Sequence, residues 1–130
     1  MLFRSPDYRK HEREFYQRTG FHPIMHTLVI REELHKEHPW VAESLYKACE
    51  EAKRWALKQM RFSGAQRTML PWLFEEIAEM DALMGDNPWP YGVEANRATL
   101  EALTLYLYQQ GLTARKVAVD EVFVPVPAGS

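Results

Sequence analysis

Two short segments hold the residues of this chain that could do chemistry. In FHPIMHTLVI, His26 stands inside an apolar run of strand-like composition. An imidazole gains and loses a proton near neutral pH, so His26 is the candidate for acid–base work. The second segment, GDNPWPYGVEANR, gathers Trp89, Tyr91, Asn96 and Arg97 in one connection. Indole and phenol rings stack on flat ligands. A guanidinium fork can take a carboxylate through two parallel hydrogen bonds. Arg31, just beyond the first segment, is a weaker carboxylate candidate. Together the segments read as two halves of a cleft for a flat, acidic ring compound. Each residue also has a plainer role open to it. His26 can be a satisfied strand histidine, Arg97 a partner of Asp86 or Glu94, and Asn96 a helix cap. The two rings can simply be packing. His22 lies four residues before His26, but Pro23 interrupts the strand between them.

The elements that must position these residues follow from hydrophobic spacing and its breakers. Ser5-Pro6-Asp7 reads as a helix start, with helix over 8–18 ended by Gly20. Residues 24–30 read as a buried strand, and 31–36 as a short helix. His38-Pro39-Trp40 opens the clearest helix, because proline at a first helical position has no N–H to waste. Along it Val41, Leu45, Ala48, Cys49, Ala52, Trp55, Ala56 and Met60 form an apolar stripe, with most charges, Glu50 and Lys53 among them, off it. Ser63-Gly64 breaks that pattern. Leu73, Ile77, Met80 and Met84 mark another helix, stopped by Gly85. Two prolines and a glycine keep 86–93 irregular. A last long helix follows Asn96 and ends at Gly111. Residues 116–119 suit a short edge strand, and 124–130 a loose tail.

Composition narrows the function classes. The 130 residues suit one modest domain, and 46% hydrophobic with 26% charged residues is ordinary for a soluble protein. No apolar run nears the roughly 20 residues of a membrane span, and the first residues lack the pattern of a secretory signal. A net charge of −2 leaves no footprint for nucleic acid. With Cys49 alone there is neither an intrachain disulfide nor a thiolate metal cage. His35 with His38, and His22 with His26, have tolerable ligand spacing but no third ligand, so no metal and no cofactor is expected. The cytoplasm is the expected compartment.

One buried strand cannot pair with itself. Its partners must come from another chain or, the favoured reading, from a larger protein of which this sequence is part. The segments TGFHPIMHTLVIREELHKEHPWVAESLYKACEEAK, LPWLFEE and LMGDNPWPYGVEANRATLEALTLYLYQQGL give that idea a form. They resemble the C-terminal part of the 4,5-dihydroxyphthalate decarboxylases, with PIMH and WPYG-x-x-x-NR the most specific stretches. The resemblance implies an α/β fold similar to type-2 periplasmic binding proteins, with two lobes joined by a hinge. Residues 1–130 would be a single partial domain, mostly helical. Residues 24–30 would be its buried hinge strand, 39–111 the C-terminal helical part of one lobe, and 124–130 the tail. It further implies a carboxy-lyase of phthalate breakdown that gives protocatechuate and carbon dioxide. His26 would then be catalytic or bond a catechol oxygen, and Arg97, Trp89, Tyr91, Asn96 and Arg31 would bind substrate. The expected partners are a small aromatic dicarboxylate and the missing N-terminal lobe, in the same protein or a separate chain, with homo-oligomerisation left open. No nucleic acid and no membrane is expected. Two other readings stay open: a solute-binding protein of that fold without catalysis, and a helical interaction fragment.

Overall fold

A computed structural model of the chain describes residues 6–65 and 68–126. Six helices follow one another: α1 (Tyr8–Thr19), α2 (Glu32–Glu37), α3 (Trp40–Met60), α4 (Leu73–Met84), α5 (Val93–Gln109) and α6 (Val119–Val122). Their ends follow the punctuation of the sequence. Gly20 closes α1 in the left-handed region at φ 68° and returns its N–H to the Tyr16 carbonyl at 2.7 Å. Pro39 takes helical angles at the head of α3, where its missing N–H leaves nothing unsatisfied. Gly85 stops α4. Of the proposed start of α1, Asp7 is the N-cap but makes no side-chain cap bond, and Ser5 lies outside the described residues.

The α/β architecture with a buried hinge strand is not what the chain forms. Among the described residues there is no strand and no sheet. Residues 24–30 are irregular and largely in water, with Met25 78% and Val29 84% exposed. The composition that suggested a strand is real, but β structure needs a neighbouring backbone, and no other described segment offers one. Pro23 and the β-branched residues beyond it in turn oppose a helix there. The edge strand expected over 116–119 is also absent. Residues 116–118 are irregular, and Val119 opens α6. Residues 127–130 of the tail lie outside the described residues.

The hydrophobic core is slight. Ala42, Ile77, Leu100 and Val119 are its buried apolar residues among those described. Among the described residues, extended helix contacts are those of α5 with α6 and α2 with α3. Polar clips do the rest. Arg9 and Arg13 of α1 pair with Glu76 and Glu79 of α4. Arg61, at the end of α3, reaches Asp81 of α4. A folded protein of this mass exposes about 7,100 Å², whereas this chain exposes 10655 Å². The excess, about 3,500 Å² by difference, includes the apolar stripe of α3. Leu45, Ala48, Ala52 and Trp55 face solvent, and the helix turns Ala42, Tyr46, Lys53 and Leu57 inward instead. Among the described residues no helix is long and apolar enough to cross a membrane.

Candidate functional site

The loop between α4 and α5 is held in place by its own carbonyls. Gly92 enters α5 at φ 94°, a backbone state that glycine adopts without strain, beside the Tyr46 ring of α3. Asn96 was the expected cap of α5, but the helix begins earlier, at Val93. From inside the first turn its Nδ2 donates to the carbonyls of Pro90 at 2.8 Å and Gly92 at 2.9 Å. The Trp89 carbonyl accepts from Lys53 Nζ of α3 at 3.0 Å.

Lys53 is the buried charged residue of the described structure, 9% exposed. An ammonium removed from water must recover its solvation from the protein. Here Glu50 Oε1 lies 2.7 Å from Nζ, the Trp89 carbonyl accepts a second bond, and the Tyr91 ring centroid lies 4.1 Å away. One cation therefore fixes both aromatic residues of the loop to α3 and leaves their rings about half exposed.

The loop also meets the segment that follows α1. Trp89 Nε1–H donates to His22 Nε2 at 3.1 Å, the two rings standing edge to face. A nitrogen that accepts cannot carry the proton, so a neutral His22 in this pose holds it on Nδ1. Trp89, Tyr91, Asn96, His22 and Lys53 thus form one connected cluster. His26 and Arg31 stand apart from it. Both are exposed, and the side chain of neither has a hydrogen bond, ion pair or ring contact among the described residues.

Arg97 is engaged elsewhere. Its fork binds Glu94 one turn back and Asp120 of α6, at 2.5 and 2.9 Å from Nη2. These bonds tie α5 to α6, and to grip a ligand carboxylate Arg97 would have to release Asp120. The hydrogen bonds from Arg97 hold the carboxyls of Glu94 and Asp120 below their usual range. In α6, Glu121 accepts from Arg115 and from the Ala118 N–H, which lowers its carboxyl from 4.5 to about 2. A carboxylate depressed on folding contributes above its unfolded value, and the contribution fades as pH falls through the folded one. The amides of α6 are therefore expected to be protected from hydrogen exchange at pH 5 and to lose protection as pH falls from 4.5 toward 2. Protection factors unchanged over that range would show that these ion pairs do not hold the helix.

Two shallow hollows lie away from the cluster. One, of about 290 Å³, is lined by Val93, Phe123 and the carboxylates of Glu94 and Asp120, poor company for an anion. The other, of about 150 Å³, lies between α1 and α4 and includes Arg13, Glu76 and Glu79. Among the described residues no three potential metal ligands converge.

By spacing, Lys53 and Glu50 lie off the obvious apolar stripe of α3. A signal was present nonetheless: Lys53 is in helical phase with Ala42, Tyr46, Leu57 and Met60, a second apolar line beside the more obvious one.

No family profile matches the chain. It is distantly related to a decarboxylase. The relative is the 4,5-dihydroxyphthalate decarboxylase of Comamonas testosteroni, 33% identical over 124 residues that cover 95% of this chain. Those residues make up 37% of the relative, so the chain spans just over a third of that protein's length.

Proposed function

We propose that this chain is part of a carboxy-lyase that removes one carboxylate from 4,5-dihydroxyphthalate, giving protocatechuate and carbon dioxide in the cytoplasm. The observation that carries this reading is the similarity to the decarboxylase over 95% of the chain. The reaction needs a proton for the ring carbon that loses its carboxylate. The carbon–carbon bond electrons stay on the ring, the para hydroxyl supplies electron push, and the departing group leaves as neutral carbon dioxide. His26, exposed and without a side-chain partner among the described residues, is assigned the proton. Trp89 and Tyr91, set by Lys53, are assigned the ring, with Asn96 holding the loop that carries them. Arg97 and Arg31 are assigned the carboxylate that remains.

Because the chain spans 37% of its relative, the complete site draws on further polypeptide, in the same protein or a separate chain. The test is carbon dioxide release from 4,5-dihydroxyphthalate by the chain joined to that polypeptide. Stoichiometric protocatechuate is expected; substrate recovered unchanged overturns the assignment. A second reading, a helical interaction partner, is favoured by the solvent-facing apolar stripe of α3.

A further inference from the structure

Arg97 is held on two sides by carboxylates of unlike attachment. Glu94, one turn back on the same helix, takes the Nε–Nη2 side at 3.1 and 2.5 Å. Asp120, carried by α6, sets its two oxygens against the outer end, 3.3 Å from Nη1 and 2.9 Å from Nη2. An end-on contact through two bonds is also how a ligand carboxylate meets a guanidinium fork. We infer that Asp120 occupies the place of the ligand carboxylate and sets the threshold a ligand must exceed to take Arg97. The inference rests on the proposed reaction, in which Arg97 is assigned the carboxylate that remains on the ring.

The exchange is easy at this position. The Asp120 side chain is 75% exposed, and an ion pair open to water is weak, so little is lost when it parts. Glu94 stays behind and keeps the guanidinium aimed. Other ties of α6 keep Asp120 close: Val119 is buried, and Arg115 binds Glu121. Its effective concentration at Arg97 therefore stays high. A carboxylate that meets Arg97 alone gains only what Asp120 loses, and no net binding results. A ligand whose ring is also held by Trp89 and Tyr91 gains more and takes the place. Discrimination of this kind comes from a contact that must break as much as from one that forms.

Phthalate is the probe, because it carries both carboxylates but lacks the hydroxyls that supply electron push, and so stays intact. In the protein with its site complete, Asp120→Asn is expected to tighten phthalate binding about two- to fivefold, the strength of an exposed ion pair. A purely structural tie predicts weaker binding or none of this change. Glu101→Gln removes an equal charge 3.9 Å from Nη1, too far for a hydrogen bond, and is expected to tighten binding less. Coupling is reciprocal, so phthalate should speed hydrogen exchange of the α6 amides by a similar factor in the parent and not in Asp120→Asn. Acetate at the same concentration should leave those amides unchanged. Phthalate that does not bind, Asp120→Asn that binds it no tighter, equal tightening by Glu101→Gln, or α6 amides indifferent to phthalate would each overturn the inference. Carbon dioxide release judges the reaction separately. Release without these effects keeps the reaction and removes Asp120 from it. These effects without release keep Asp120 as the rival of a carboxylate ligand that is not decarboxylated.

Discussion

Lys53→Met is expected to cost about 3 kcal/mol of folding stability, the toll of stranding one member of a buried pair. Methionine matches the stem of lysine but leaves the Glu50 carboxylate and the Trp89 carbonyl without their donor. Glu50 keeps 20% of its side chain in contact with water, which places the effect at the low end for such losses. Urea unfolding of parent and variant measures it. The double variant Lys53→Met, Glu50→Leu removes the stranded charge and is expected to regain most of the loss, since an apolar pair of similar volume often replaces a buried ion pair at little cost. A single-variant loss under about 0.5 kcal/mol, the range of ordinary surface changes, would show that Lys53 does not hold the loop.

His26→Ala tests the proposed chemistry where it is most exposed to failure. Losing a general acid lowers turnover by about 10²- to 10⁴-fold, and that fall is expected for carbon dioxide release by the protein with its site complete. Stability should stay within about 0.5 kcal/mol, because the side chain is solvent-exposed and has no partner among the described residues. His22→Ala serves as the contrast. It breaks the bond from Trp89 Nε1 and is expected to weaken substrate binding more than turnover. Equal turnover in His26→Ala and parent would take His26 out of the reaction and leave His22 as the imidazole of the site.

Local signals in the sequence marked the helices well. Gly20, Pro39 and Gly85 sit at boundaries because each imposes a backbone state that ends or begins a helix whatever the rest of the chain does. The strand at 24–30 failed for the opposite reason. Ile, Thr and Val favour extended backbone, but a strand exists only beside another, and that neighbour is not a property of the segment. The stripe of α3 failed in a subtler way. Apolar periodicity shows that a helix has a face to cover without showing what covers it, and Tyr91 and Trp89 drew Lys53 inward in its place. The cluster was half legible. Trp89, Tyr91 and Asn96 stood out by type and proximity, whereas Lys53 lies 36 residues before Trp89, and His22 67 residues before it. Only the folded chain brings them together.

The thin core has a calorimetric consequence. The rise in heat capacity on unfolding scales with the apolar surface newly wetted, and the chain already leaves about 3,500 Å² more surface in water than a well-packed fold of its mass. Its stability should vary little with temperature, and its melting should be broad, helices loosening one after another where a well-packed domain gives a sharp peak. Added salt should widen the transition further by screening the arginine–carboxylate ties that join α1 to α4 and α5 to α6.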